Sequence, residues 1–269
     1  MKKFYQTFLF LLILDILLIL PLGLLLPIRF LIPIFVFAII LNLFLLFFMS
    51  FYTQKNYIFS AFPPDDSYKI HSLFERLKTE YNVKNVQLLK AQGMDSLCFY
   101  MAGLNQSTVI LSENVLESFS ERDMACFLSY AFQKIKSGEA LFLTVLSSFI
   151  FLLQRFFYIL NYPFHFFKKQ KTDSRAVILS FKLLSFTTKR IFYRNDKKLS
   201  LNKNQPAREQ ALFLWKLDSF IKLNPPQLPV FFAPLFLISF LTNSYGESYS
   251  SLQPLIKDRV KKLVGSFPP

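Results

Sequence analysis

Glycine, cysteine and histidine are scarce in this chain, and each scarcity removes a class of chemistry. The six glycines, at 23, 93, 103, 138, 246 and 265, never cluster. A glycine-rich phosphate loop and a G-x-S-x-G hydrolase elbow are therefore absent. Cys98 and Cys126 are too few and too far apart for a disulfide framework or a C-x-x-C metal site. Two free, buried thiols are expected instead. His71 and His165 have no other ligand at zinc-motif spacing, and neither forms a local Cys-His signature. From these residues no metal and no cofactor is expected. Acidic residues are the minority charge, 17 Asp and Glu against 31 Lys and Arg.

Apolar residues are abundant. At 53% hydrophobic, with 35 Phe, the chain exceeds the composition of an ordinary soluble domain. Thr7 to Leu26 and Phe30 to Phe51 are each long enough to cross a bilayer, which takes about 20 residues. The second run carries no charge, and only Pro27-Ile28-Arg29 lies between the two. Two such runs in succession read as a retained helical hairpin and not as a cleaved signal peptide. Lys2, Lys3, Lys55 and Lys69 flank the hairpin, whereas Arg29 alone lies in its turn, so both ends are expected in the cytoplasm. Asp15 is the one ionisable group inside these runs, and Asn42 lies at nearly the same depth on the returning helix. A hydrogen bond between them would lock the hairpin, by about 0.6 kcal/mol on average for such pairs. A transport role for Asp15 is the functional alternative.

Beyond the hairpin, Phe62-Pro63-Pro64-Asp65-Asp66 breaks the chain. Ile70, Leu73, Phe74 and Leu77 then mark one face of a helix over Tyr68 to Tyr81. Asn85 to Lys90 and Ser107 to Leu111 read as short strands able to pair. Ser120 followed by Glu121, Arg122 and Asp123 is a capping-box start to a helix expected to run on through Gly138 into Ala140 to Leu160, a third membrane segment. Ala176 to Phe192 is either a fourth span or an interfacial helix. Leu228 to Leu241, with Pro229 and Pro234 inside, is expected as a buried piece of the soluble domain. Gln154 to Lys203 carries twelve Lys and Arg against Asp173 and Asp196, a composition suited to anionic lipid headgroups. No nucleic-acid motif accompanies that charge, so no nucleic-acid partner is expected.

The order of these segments resembles the HtpX-type membrane zinc metallopeptidases, in which a strand leads to a helix bearing H-E-x-x-H. Here Thr108 to Leu116 leads to Asp123 to Ser129 in the matching place, and Ile135-Lys136-Ser137-Gly138-Glu139 follows it. Near the C-terminus, Leu252 to Leu263 is similar to the family's T-H-P-x-x-x-x-R-I-x-x-L segment. The positions matching H-E-x-x-H read Tyr130-Ala131-Phe132-Gln133-Lys134. The ligand histidines and the general base are thus replaced by Tyr130, Lys134 and Ala131, none of which supplies that chemistry. The third ligand, a Glu in an R-x-x-E-x-x-A-D segment, falls near Arg194 to Lys198, with Lys197 at the match and Asp196 beside it. Lys134, placing a positive charge where the metal sat, is expected to pair with Asp196.

The resemblance implies a mainly α protein with a small β-sheet (α+β), a minimal zincin-like domain on a polytopic helical anchor. Its expected parts are a transmembrane hairpin (1–60), a first soluble part (61–139), membrane-associated helices (140–192) and a second soluble part (193–269). It also implies a catalytically inactive pseudopeptidase of a bacterial inner membrane, its soluble part cytoplasmic, acting as scaffold, adaptor or regulator with a membrane protein partner. The rivals are a membrane hydrolase with a different site, built on His71 or His165, and a small lipid-interacting or transport protein built on Asp15.

Overall fold

The computed structural model describes residues 59–61, 68–91, 98–103, 106–151, 188–201, 206–224, 230–237 and 254–264, with isolated positions between 33 and 48. These form a mainly helical α+β fold around one small sheet. The sheet has four strands: β1 (Phe59–Ala61), β2 (Val86–Ala91), β3 (Cys98–Ala102) and β4 (Ser107–Ser112), in the order β1-β2-β4-β3. The two strands expected from sequence are β2 and β4. They pair in parallel, from Val86 opposite Ser107 to Ala91 opposite Ser112. β4 lies inside the sheet, and Val109, Ile110 and Leu111 are buried in succession, as suits a strand covered on both faces. β1 and β3 flank the pair antiparallel and are additions to the sequence reading.

Helix α1 (Tyr68–Glu80) buries the expected stripe of Ile70, Leu73, Phe74 and Leu77. Each such side chain removed from water is worth about 1.5–3 kcal/mol. Asn82 and Asn85 take positive φ (50° and 55°) to turn the chain into β2, a conformation asparagine tolerates better than most residues.

A short helix, α2 (Glu113–Ser118), leads to α3 (Glu121–Ser137). The capping box holds as expected: the Ser120 hydroxyl accepts from the Asp123 backbone N–H, and the Asp123 carboxylate accepts from the Ser120 N–H at 3.0 Å. α3 does not run on. Gly138 takes φ 82° and closes it in a left-handed cap, after which a separate helix, α4, is described over 139–151. α4 is buried nearly all round, including Thr144, Ser147 and Ser148, whose hydroxyls donate to carbonyls one turn back. Thr144 Oγ1 also accepts from the Ala102 N–H of β3 at 3.1 Å, so α4 protects that sheet edge.

Helices α5 (188–200), α6 (Ala207–Leu223) and α7 (Ile256–Val264) follow. Between α6 and α7 a 3-10 helix, Val230–Leu235, brings Phe232 and Phe236 against Phe99 of β3. The described part of Leu228 to Leu241 is thus buried in the domain, as expected. Among the described residues no helix is long and apolar enough to cross a membrane. The run Thr7 to Leu26, most of Phe30 to Phe51, residues 152–160 and residues 176–187 lie outside the described residues, as do Asp15, Asn42 and His165. Within the second run, Val36, Phe37, Ile40 and Phe44 are helical and exposed, and Phe48 meets Phe151 of α4 at 4.7 Å between ring centroids.

Candidate functional site

Polar and ionisable side chains from four helices meet inside the domain. α3 contributes Tyr130 and Lys134, one turn apart and on one face, with Ala131 buried beside them. α4 contributes Glu139 at its start. α5 contributes Phe192, Asn195 and Asp196, spaced to share a face, and α7 contributes Arg259. All of these are buried, and the structure therefore unites the candidates Tyr130, Ala131, Lys134 and Asp196 in one cluster.

The expected Lys134–Asp196 ion pair does not form, because Arg259 takes the carboxylate. Its Nε donates to Asp196 Oδ2 at 2.8 Å and its Nη2 to Oδ1 at 2.6 Å, while Nη1 donates to the Leu237 carbonyl at 2.7 Å. A planar guanidinium matches a carboxylate in this two-pronged way and an ammonium cannot. Both partners are about 1% exposed. Burial alone would loosen the Arg259 proton, but Asp196 outweighs it and holds the group protonated more firmly than an ordinary arginine. Lys197, at the position first matched to a metal ligand, is exposed.

Lys134 is fully buried, and its Nζ has no hydrogen-bond partner among the described residues. It sits 3.3 Å from the ring centroid of Phe192 and 5.3 Å from that of Tyr100. Burial and then the neighbouring Arg259 cation drive its pKa well below the usual lysine value, against the attraction of Glu139 and Asp196. Burial thus works against the positive charge expected at this place. The charges of the cluster balance without it. Arg259 faces Asp196, and Arg194, half exposed, reaches in to donate to Glu139 Oε1 at 2.6 and 2.9 Å.

Several buried atoms here make no hydrogen bond among the described residues: Glu139 Oε2, Asn195 Oδ1 and Nδ2, and Tyr130 Oη. The Tyr130 phenol is held protonated by burial and by the nearby Asp196 carboxylate, although the two do not form a well-aligned hydrogen bond. Cys126, one turn before Tyr130, is a buried free thiol with its pKa pushed up to about 12, chiefly by burial. It is a poor nucleophile at neutral pH. His71 is half-buried on α1 and belongs to no metal-binding group, for among the described residues no three His, Cys, Asp or Glu side chains come together.

Sequence reasoning identified Tyr130, Lys134 and Asp196 but not Glu139, Phe192 or Arg259 as their companions. For Arg259 a signal existed in the Pro254-to-Leu263 pattern. For Phe192 the signal was its place one turn before Asp196, which puts both on the face of α5 that meets α3. No protein-family model matches the chain, and no curated protein matches it.

Proposed function

We propose that this chain is a catalytically inactive membrane pseudopeptidase of the HtpX-like kind, retained as a scaffold, adaptor or regulator of a membrane protein complex. The observation that carries the reading is the buried contact of Lys134 with Phe192, with Arg259 lying over the rings of both Phe192 and Tyr130. Tyr130 and Lys134 stand at the places of the two histidines. Matching the final aspartate of R-x-x-E-x-x-A-D to Asp196, instead of its arginine to Arg194, puts Lys189, Phe192 and Asn195 at the arginine, glutamate and alanine, so that Phe192 replaces Lys197 at the third ligand. On this alignment the three ligand positions carry a phenol, an amine and a phenyl ring, and the contact between Lys134 and Phe192 supports the reading. The Lys134 amine lies against the Phe192 ring where the ion would have to sit, and Ala131 offers no base to activate water.

Membrane attachment through the two apolar runs and contact of the basic stretch 154–203 with anionic headgroups complete the reading. Its test is elemental analysis of the full chain purified from membranes, together with crosslinked affinity purification. Sub-stoichiometric zinc, no peptide hydrolysis and a stoichiometric membrane protein partner are expected. Stoichiometric zinc that a chelator removes would overturn the inactive reading.

A further inference from the structure

The outer face of α6 carries a pattern that the site does not use. At 100° per residue, Leu212, Trp215 and Leu223 fall within about 80° of one another, and all three are exposed, Leu223 by 81%. Arg208 lies within the same arc, with Lys216 on one side and Lys222 on the other. The opposite face, Ala211, Phe213, Leu214, Leu217 and Ile221, is in the core, so the helix is apolar on both sides. A helix that needs only to close a domain has no use for the second apolar side.

We infer that this face of α6 is a docking surface for an anionic lipid bilayer, with Leu212, Trp215 and Leu223 entering the headgroup boundary. Charge complementarity selects lipid. Lys216 and Lys222 each hold one carboxylate, Asp123 and Asp218, yet remain half-exposed, able to extend their ammonium groups toward phosphates. α7, which packs against α6, carries Lys257 and Lys261, exposed and without an ion pair among the described residues. The exposed acid of α6 near this face is Glu209, beyond Lys216 and outside the arc. Tryptophan among leucines, bordered by lysines, is the arrangement that lies in the plane of an interface. In sequence this helix lies outside the basic stretch 154–203. The inference rests on the membrane reading above for bringing the domain near lipid.

Trp215 is the one tryptophan of the chain, so its fluorescence reports this face alone. The full chain is placed in nanodiscs of phosphatidylcholine with or without phosphatidylglycerol, some with brominated acyl chains. Phosphatidylglycerol is expected to shift Trp215 emission to the blue and to let brominated chains quench most of it. High salt should reverse much of the change, and Leu212→Ser/Leu223→Ser should abolish it without altering the circular dichroism. A chain that enters the discs with Trp215 emission indifferent to lipid charge and bromine overturns the inference alone. A blue shift without bromine quenching means that protein covers the face, and also overturns it. A chain that stays soluble without detergent and outside the discs overturns the membrane reading, and this inference with it.

Discussion

A lysine buried against two aromatic rings, with no hydrogen bond from its nitrogen among the described residues, is a source of instability that the fold tolerates. An unsatisfied buried donor costs about 1–3 kcal/mol. Lys134→Met keeps the stem and discards the amine, and should raise stability by about that amount, read as a higher midpoint in denaturant. The pH dependence follows from the lowered pKa. Between the folded value and the ordinary 10.5, the unfolded lysine binds a proton that the folded one does not. Wild-type stability should therefore rise as pH rises through that window, and the rise should flatten in Lys134→Met. Tyr130, Lys134 and Asp196 could be picked out because helix spacing is written in sequence. Their partners could not, since whether Asp196 meets Lys134 or Arg259 depends on how α3, α5 and α7 pack and on which cation fits a carboxylate in two prongs.

Elements were legible where a local rule sets them. The stripe of α1 and the capping box of α3 rest on contacts within a few residues, and both stand as read. β3 escaped because Phe99, Tyr100, Met101 and Ala102 are all buried, which leaves no alternation to detect. The stop at Gly138 escaped because apolar residues resume at once in α4, and periodicity alone does not separate two helices from one. Gly138 at φ 82° closes α3, a conformation that costs other residues about 1–2 kcal/mol. Gly138→Ala should lower stability by that amount in equilibrium unfolding. The loss should be larger than for alanine at an ordinary helix end, because the bend also delivers Glu139 to Arg194.

Across the whole molecule, Arg259 ties α7 to α5 through Asp196 and to the segment after the 3-10 helix through Leu237. Asp196→Ala would leave a buried guanidinium uncompensated, and should cost about 3–5 kcal/mol in thermal or denaturant unfolding. The paired change Asp196→Leu/Arg259→Met, which removes both charges, should recover most of that loss. The α+β class could be read from the order of helical and strand-like segments, whereas this long-range tie could not, because its two charges stand 63 residues apart. The strand order β1-β2-β4-β3 adds a constraint on biosynthesis. β4, the last strand translated among the described residues, is an inner one that pairs with both β2 and β3. On the ribosome β4 follows β3 almost at once, but Phe99 of β3 has its ring unshielded until Phe232 and Phe236, which cover it, are made much later. That interval is when a co-translational chaperone would have the most to cover.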